Sequence, residues 1–355
     1  MAEAARAERR ARVERLLEAA RVLASRESSA GQALLSRLRE TTGLSAAGIE
    51  LGMTRCLESQ PLAEHLEALL ASTPVAPRAR VLLSGNVFIA ALRAIAIGLA
   101  SSAHVQVRAS RRDPALADAL HALVPGSFEL TFELSSQTGD HFWAYGSDST
   151  IGDVRRALPP GVWFHAHGHG IGAVVVDAPA AAELEAMARA IALDTALFDQ
   201  RGCLSPRVVC VVGSSEQART LAQALAGALA GLEREAPPGP PSREQAAEMR
   251  KNRDAAAYAF EIFDAGSGWI SLAPELVVPP ANRNLHVTWT SDAVAAISPF
   301  AGHITCIGTN AGAATQAELR RAFPGARLAT LGDMQRPPLD GPVDRRHGTR
   351  GDLLT

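Results

Sequence analysis

One cysteine, Cys203, stands where a nucleophile could work. It lies in the stretch DQRGCLSPRVV, between a polar turn and an apolar run typical of a buried strand. Backbone N–H groups in a turn can stabilise a thiolate, which is a strong nucleophile. Free cysteines more often pack as small apolar groups, and Cys210, inside RVVCVV, fits that role. For Cys203 both roles stay open, and no neighbouring histidine supports a cysteine–histidine protease pair.

An asparagine could complete such chemistry by stabilising negative charge. Asn86, in LLSGNVFIA, lies between a short apolar strand and the helix that follows it. Its amide could donate a hydrogen bond to an oxyanion that develops beside Cys203. The alternative is an Asx turn or a helix cap, for which asparagine is equally suited.

Three arginines could bind a phosphorylated cofactor. Arg108, Arg111 and Arg112 follow the second strand in VRASRRDP, and arginine holds a phosphate through paired hydrogen bonds. The segment YGSDSTIGD adds small polar groups at a helix N-terminus, where an anion can bind. The alternatives are solvated arginines and an ordinary serine or aspartate cap.

Alternating histidines in FHAHGHGIG raise the question of a metal. His165, His167 and His169 would share one face of a strand, which suits zinc. No cysteine or carboxylate lies nearby in the sequence to complete a site, so we predict no metal. The segment also imitates a dinucleotide-binding glycine motif, but it lacks the full spacing and the following helix.

These residues must be positioned by alternating strands and helices. Residues 1–75 are predicted to be helical, with a break near Gly43. From Arg78 onward, short apolar strands alternate with helices, which indicates an α/β fold with mostly parallel sheets. Among them, SFELTFEL is predicted to be a strand, and the helix before it is predicted to begin at Pro114 with Asp113 as its N-cap. The proline-rich stretch at 233–245 is predicted to be a surface loop, followed by three strands and a closing helix.

A parallel sheet would bring several of the polar segments to one edge. Ligands bind beyond the carboxyl ends of the strands in such sheets. The rule places Gly85 and Asn86, residues 108–112 and residues 146–150 along the same rim. We expect a cofactor to lie there.

Composition excludes several classes of function. The chain has 355 residues, enough for two domains, and a net charge of −2, which does not favour nucleic acid or an anionic membrane as partner. Its four cysteines are scattered, which favours a reducing cytoplasm over a disulfide framework. The first residues lack the apolar core of a signal peptide, and no apolar run is long enough to span a membrane.

Taken in order, these segments resemble the aldehyde dehydrogenase superfamily, and within it the acyl-CoA reductases related to the fatty acyl-CoA reductase of bacterial bioluminescence. The resemblance runs collinearly from about Arg78 to Gly348. Its more specific parts are the nucleophile segment DQRGCLSPRVVCV and the closing motif RLATLGDMQRPPLDGP. Its weaker parts are GNVFIAALRAIAIGLASSAHVQVRASRRDP, YGSDSTIGDVRRALP and HGHGIGAVVVD.

The resemblance implies a fold and a domain order. The fold would be α/β and aldehyde dehydrogenase-like. A helical region at 1–75 would belong to the cofactor half, with a Rossmann-type NADP-binding domain at 76–170. A catalytic domain carrying Cys203 would occupy 171–335, and a tail would occupy 336–355.

The resemblance also assigns roles to single residues. Cys203 becomes the nucleophile, and Asn86 binds the oxyanion together with the Cys203 backbone N–H. Arg108 stands where the superfamily usually has a ribose-binding lysine. Arg111 stands near the place where many NAD-using members keep a glutamate, so NADPH is favoured over NADH. The other predicted cofactor-binding residues are Ser110, Gly146, Ser147 and Thr150.

The chain departs from the superfamily pattern at two glutamates. In place of the general base of hydrolytic members, residues 166–169 read AHGH. Without that base water is poorly activated against a thioester, whereas CoA-linked members use acyl transfer to a thiol instead. The second glutamate has no convincing match, because EIFDAGSG at Glu261 lies too close to Cys203. The chain is also shorter than typical members, which puts the usual oligomerisation arm in question.

The sequence therefore predicts a cytoplasmic, NADPH-dependent acyl-CoA reductase that forms a thioester on Cys203. His169 is the candidate proton donor, and a satisfied strand histidine is the alternative. A reductase of acyl-carrier-protein or acyl-phosphate substrates and a catalytically silent scaffold stay open as alternatives. Acyl-CoA is the expected partner, and a homo-oligomer or a protein that delivers the acyl group also stays open.

Overall fold

The computed structural model describes residues 2–348 and 350–355 and divides into two compact units. Unit 1 comprises the described residues of Met1–Gly43, Gly52–His169 and Pro338–Thr355. Unit 2 comprises Leu44–Leu51 and Gly170–Pro337. The sequence placed boundaries after residues 170 and 335, and the cofactor and catalytic roles given to these parts stay predictions.

Four helices begin the chain: α1 Ala2–Ala24, α2 Ser29–Thr41, α3 Ala46–Cys56 and α4 Ala63–Ser72. The predicted break between α2 and α3 contains Gly43, whose φ of 63° lies in the left-handed region that favours glycine. Leu16, Leu17 and Leu23 form the buried stripe of α1. The spacing of that stripe is why this charged segment folds as an amphipathic helix.

Unit 1 contains a six-stranded sheet in the order β13-β5-β4-β1-β2-β3. Its strands are β1 Ala79–Leu82, β2 Val105–Arg108, β3 Glu129–Leu130, β4 His141–Tyr145, β5 Trp163–His167 and β13 Asp352–Leu353. All neighbours are parallel except β13, which runs antiparallel to β5. The helices of this unit are α5 Ala90–Ser101, α6 Ala115–Leu123 and α7 Asp148–Ala157. The carboxyl ends of β1, β2, β4 and β5 therefore meet at one edge.

Unit 2 contains a seven-stranded sheet in the order β12-β11-β6-β7-β10-β9-β8. Its strands are β6 Ile171–Asp177, β7 Pro206–Val212, β8 Glu261–Ala265, β9 Gly268–Leu272, β10 Leu285–Thr290, β11 Ile304–Thr309 and β12 Arg327–Ala329. Its helices are α8 Leu184–Ala196, α9 Ser215–Glu235, α10 Arg243–Ala259, α11 Ala293–Ile297 and α12 Ala313–Ala322. Only β8 runs antiparallel to its neighbour.

Both cores follow from apolar strands covered by helices. The central strands β6 and β7 are almost continuously apolar and buried, as parallel strands covered on both faces are. In unit 1, α5 is buried along almost its whole length. Gly98 lets this helix approach the sheet, since a Cβ there would lie 3.0 Å from Val105 and 3.1 Å from Val81.

The predicted α/β fold with a helical first region is confirmed, and the differences are local. The predicted strand SFELTFEL shortens to the two residues of β3. Helix α6 begins at Ala115 after Pro114, one residue later than predicted. Helix α10 and strand β8 were not predicted, and EIFDAGSG forms β8 and the turn at Gly266.

Every helix in residues 2–348 and 350–355 is too short or too polar to span a bilayer.

Candidate active site

Cys203 lies in a tight turn between α8 and β7. The Ser205 backbone N–H donates to the Gly202 carbonyl over 3.1 Å and closes this turn of residues 202–205, the Cys203 turn. Cys203 is half-buried, whereas Cys56, Cys210 and Cys306 are buried. Cys203 therefore has the most accessible thiol of the four free cysteines.

Burial makes the neighbouring cysteines poor nucleophiles. It raises the pKa of Cys210 to about 12 and also raises the pKa of Cys306. Both thiols stay protonated at neutral pH, which suits the packing role predicted for Cys210.

The backbone just before the Cys203 turn is strained. Phe198, Asp199 and Gln200 are buried and have φ values of 55°, 50° and 61°. A non-glycine residue in this region costs on the order of 1 kcal/mol or more and persists only where the surroundings fix it. Three such residues in succession change the chain direction sharply between α8 and the Cys203 turn.

Buried polar contacts fix this strained segment. The Asp199 carboxylate accepts from Arg283 over 2.9 Å and from the Gly239 backbone N–H over 3.0 Å. The Gln200 amide donates to the carbonyls of Pro206 and Asn284 at 2.7 and 2.6 Å and accepts from the Asn284 N–H at 3.0 Å. The segment is therefore tied both to β7 and to the chain that leads into β10.

Strands β6 and β11 hold the Cys203 turn from the other side. The Gly172 N–H donates to the Ser205 carbonyl over 2.9 Å, and the Thr305 hydroxyl donates to the Cys203 carbonyl. A Cβ at position 172 would lie 2.5 Å from the Leu204 carbonyl oxygen. Only glycine therefore lets the turn pack this closely.

A third contact comes from residues 330–336, the closing loop, which lies in the closing motif of the sequence. The Gln335 amide donates to the Ser205 hydroxyl over 2.8 Å and to the Asp194 backbone carbonyl over 3.2 Å. The fully buried Asp194 carboxylate accepts the N–H groups of Gly332 at 2.6 Å and Met334 at 3.0 Å. Burial raises the pKa of Asp194 to about 7.

In unit 1 the predicted rim is assembled from loops after the parallel strands. A Cβ on Gly85, after β1, would lie 2.5 Å from the Ser110 hydroxyl, after β2. The Gly146 N–H, after β4, donates to the His167 carbonyl of β5 over 3.2 Å. Within unit 1, these loops therefore lie beside one another as the sheet order predicts.

Asn86 is exposed in the bend between β1 and α5. The N-cap of α5 is Ile89, so Asn86 does not cap that helix. Its side chain makes no hydrogen bond within the described residues. The amide is therefore free to bind a ligand, and its role stays a prediction.

Arg108, which ends β2, and Arg111 and Arg112, which follow it, lack acidic partners among the described residues. Arg108 is half-buried, and Arg111 and Arg112 are exposed. The nearest acid in the sequence, Asp113, is engaged elsewhere: it accepts from the Thr41 hydroxyl over 3.0 Å and from the Ala115 N–H. Burial raises the pKa of Asp113. The segment thus presents positive charge that no neighbouring carboxylate neutralises.

The phosphate-side turn is largely occupied with capping α7. Ser147 is the N-cap, and its hydroxyl accepts the Thr150 N–H over 3.2 Å and contacts the Thr150 hydroxyl at 2.9 Å. Asp148 accepts the backbone N–H of His169 over 2.7 Å. The predicted cofactor residues Gly146, Ser147 and Thr150 therefore cluster at one helix N-terminus.

The histidines of β5 differ from one another in their surroundings. His165 contacts His141 at 2.9 Å and stacks on Trp143, whereas His167 stacks on Tyr145. Burial lowers the pKa of His165 to about 2 and that of His167 to about 4, so both are neutral at pH 7. His169 lies exposed just beyond the strand. In the part of the chain that the structure describes, no three His, Cys, Asp or Glu residues are grouped as metal ligands.

Several residues that fix the Cys203 turn were not predicted: Gly172, Asp194, Asp199, Thr305 and Gln335. Three of them lay in motifs found in the sequence: Gly172 ends GHGIG, Asp199 begins the nucleophile segment, and Gln335 is in the closing motif. Their contacts join positions far apart in the chain, which local spacing does not reveal.

Comparison with known proteins places this geometry in context. The family model described as acyl-CoA reductase (LuxC) matches residues 123–341, more than half of the chain. None of the curated protein sequences compared with the chain matches it.

Solved structures share the fold at low sequence identity. An NAD-dependent benzaldehyde dehydrogenase from Corynebacterium glutamicum superposes with a TM-score of 0.67 at 15% identity, over 92% of this chain and 81% of that one. A putative aldehyde dehydrogenase from Burkholderia cenocepacia gives 0.68 at 13% identity, over 92% and 78%. Proline utilization A of Bdellovibrio bacteriovorus gives 0.64 at 12% identity, over 98% of this chain but only 42% of that one.

Proposed function

Because the chain belongs to the acyl-CoA reductase (LuxC) family and is an oxidoreductase of the aldehyde dehydrogenase fold, we propose that it reduces a fatty acyl-CoA to the aldehyde with NADPH. The proposal rests above all on one observation. Of four free cysteines, only Cys203 is accessible, and its turn is held by strained backbone and by contacts from β6, β11 and the closing loop.

The first step is acyl transfer to Cys203. The thiolate attacks the thioester carbonyl carbon, and the new C–S bond converts the carbonyl oxygen to an oxyanion. The family resemblance assigns the Asn86 amide and the Cys203 backbone N–H as the hydrogen-bond donors that would stabilise the charge of this oxyanion. The bond to the CoA sulfur then breaks, CoA leaves as a thiolate that takes up a proton, and Cys203 carries the acyl group as a thioester.

The rim of unit 1 fits a phosphorylated nicotinamide cofactor. The guanidinium groups of Arg108, Arg111 and Arg112 would hold the 2′-phosphate, since no described carboxylate neutralises them. Gly146, Ser147 and Thr150 would line the remaining phosphates beside the N-terminus of α7, and Ser110 would contact the cofactor after β2. Bound NADPH would supply the hydride that takes the Cys203 thioester to the aldehyde oxidation level.

The remaining steps are carried out by residues of the protein. The thiohemiacetal oxygen re-forms a carbonyl, the bond to the Cys203 sulfur breaks, and the thiolate is ready for another turnover. Protonated His169 is the proposed source of the proton that the reaction consumes, because its imidazole is exposed next to the rim. His165 and His167 do not suit this role, since burial keeps them neutral.

A mass measurement tests the proposal. Wild-type protein incubated with acyl-CoAs of increasing chain length, without cofactor, should gain the acyl mass on the peptide that contains Cys203. Addition of NADPH should then remove that mass and release aldehyde. Cys203→Ala should gain no mass and show no turnover. The matched variant Cys210→Ala should gain the acyl mass and turn over normally.

Other outcomes would point to the alternatives. Acylation only by an acyl-carrier protein or an acyl phosphate would change the substrate class, and no acylation of wild type by any of these would favour a scaffold. A reducing, cytoplasmic location is also part of the proposal, supported by four free cysteines. A partner that delivers the acyl group, or a second copy of the chain, stays open as part of it.

A further inference from the structure

We propose that Asp194 and Gln335 are positioning residues for Cys203: they fix the closing loop against the Cys203 turn and so set the direction of the thiol. The inference rests on the proposed role of Cys203 as nucleophile. It goes further because neither residue was assigned a role from the sequence.

The first observation is that a carboxylate is buried where an apolar side chain would be more stable. Asp194, in the last turn of α8, is fully buried and accepts two backbone N–H groups of the closing loop. Within residues 2–348 and 350–355, no cationic side chain forms an ion pair with this carboxylate, and burying it there costs stability, as its raised pKa indicates. Loop positioning gives this costly group a purpose that an apolar residue could not serve.

The second observation is the contact between the closing loop and the Cys203 turn. Gln335 is 4% exposed, and its amide bridges the Asp194 carbonyl and the Ser205 hydroxyl. Ser205 closes the turn through its N–H bond to Gly202. One side chain thus joins α8, the closing loop and the Cys203 turn.

The third observation is that strand β11 contacts both the closing loop and the Cys203 turn. Met334 of the closing loop packs so closely on Gly308 that a Cβ there would lie 2.5 Å from the Met334 sulfur. Three residues earlier on the same strand, Thr305 holds the Cys203 carbonyl. A displaced loop would therefore move the turn relative to the strand that supports both.

A double-mutant cycle tests the inference. Gln335→Leu removes the amide at similar volume, and Ser205→Ala removes the hydroxyl it binds. Each single variant should lower the single-turnover rate of Cys203 acylation at least tenfold, the scale expected for a misplaced nucleophile. The double variant should be no slower than Gln335→Leu, because that variant already removes the link to the Ser205 hydroxyl.

The matched control is Thr288→Val. Thr288 is as buried as Ser205 and donates to the Pro274 carbonyl over 2.8 Å, away from the Cys203 turn in unit 2. The Thr288→Val variant should lower the melting temperature of the protein, as the test variants do, and should leave the rate of Cys203 acylation unchanged. A parallel measurement follows alkylation of Cys203 by iodoacetamide against pH, in the same four variants and wild type.

The outcomes separate this inference from the proposed function. Wild-type acylation rates in Gln335→Leu, or additive losses in the double variant, would overturn the inference while Cys203 remained the nucleophile. If acyl-CoA fails to acylate the wild-type protein, the proposed function fails. The pH profile of Cys203 alkylation then still tests whether Gln335 positions the thiol. A profile shared by wild type and Gln335→Leu would then overturn the inference, and a changed one would support it.

Discussion

Asn86 offers an exposed amide at the end of β1 that no described residue engages. We predict that Asn86→Ala slows acylation of Cys203 roughly 10²-fold, as loss of one oxyanion donor does in other enzymes. The free energy of unfolding should stay within about 0.5 kcal/mol of wild type, because no hydrogen bond within the fold is lost. Rapid-quench acylation and chemical denaturation measure the two effects. Unchanged rates with a lower stability would return Asn86 to a structural role.

Arg111 carries an exposed positive charge, and we propose that it binds the 2′-phosphate of NADPH. Arg111→Glu should raise KM for NADPH about tenfold or more, since one charge-assisted hydrogen bond contributes roughly 1.5–3 kcal/mol. KM for NADH should change little. The matched variant is Arg250→Glu, the same charge change at an exposed position of α10. Equal use of NADH and NADPH by the wild-type enzyme would contradict the cofactor assignment.

The roles of single residues could be predicted only where their neighbours in the sequence were informative. Cys203 and Cys210 could be told apart because a polar turn and an apolar strand are visible within a few residues. Asp194 could not be recognised, because the N–H groups it accepts lie about 140 positions later in the chain. Asn86 and the arginines were located by the rule for parallel strand ends, whereas their roles still rest on resemblance.

At the scale of elements, the turn between α8 and β7 depends on a glycine in β6. Gly172→Ala places a methyl group 2.5 Å from the Leu204 carbonyl oxygen, so it should destabilise the protein by roughly 1–3 kcal/mol and slow acylation. Gly227→Ala is the matched change, because a Cβ there meets nothing within 4 Å in the middle of α9. It should stabilise by roughly 0.5–1 kcal/mol with normal acylation. Normal acylation in Gly172→Ala would show that the turn tolerates displacement.

The link between α8 and the closing loop should make stability depend on pH. Burial raises the pKa of Asp194 from 3.8 to about 7, aided by Asp333, while the N–H groups of Gly332 and Met334 oppose the shift. Cys306 on β11 also faces the carboxyl. The protonated form is favoured in the fold, so its stabilising contribution is complete below pH 3.8 and is lost as pH rises to about 7.

Asp194→Asn should therefore remove one component of that pH dependence. The difference in unfolding free energy, wild type minus variant, should fall as pH rises from about 4 to 7. Urea denaturation at several pH values measures it. A constant difference across that window would mean that Asp194 is ionised throughout.

The missed elements show why periodicity identifies some helices and not others. Helix α10 buries only Ala256, so it has no apolar stripe for hydrophobic spacing to reveal. Its signal was instead the capping box of Ser242 and Gln245. This capping box lies inside the stretch 233–245 predicted to be a loop, of which only residues 236–242 connect α9 to α10. Strand β3 was overestimated because the apolar residues of SFELTFEL continue beyond the two that pair with β2.

At the scale of the molecule, unit 1 is discontinuous in sequence. Residues 338–355 return to it: β13 pairs with β5, and the buried Arg93 donates to the carbonyls of Gly341 at 2.6 Å and Pro338 at 2.9 Å. A chain ending at residue 337 should therefore lose stability in unit 1 and keep it in unit 2. Hydrogen exchange of peptides from β1 and β7 measures the two units separately. Equal protection of β1 with and without residues 338–355 would contradict the prediction.

The two-unit division also bears on how the chain is made. A ribosome releases β1 to β5 of unit 1 first, then the main body of unit 2, and only afterwards the segment that contains β13. At roughly 5–20 residues per second, unit 2 delays that segment by on the order of 10 s. During this interval the outer edge of β5 has no β-strand partner within its own sheet and offers free backbone groups to other chains. The nascent protein thus passes through a stage open to chaperones or to mispairing, which ends when its returning segment is synthesised.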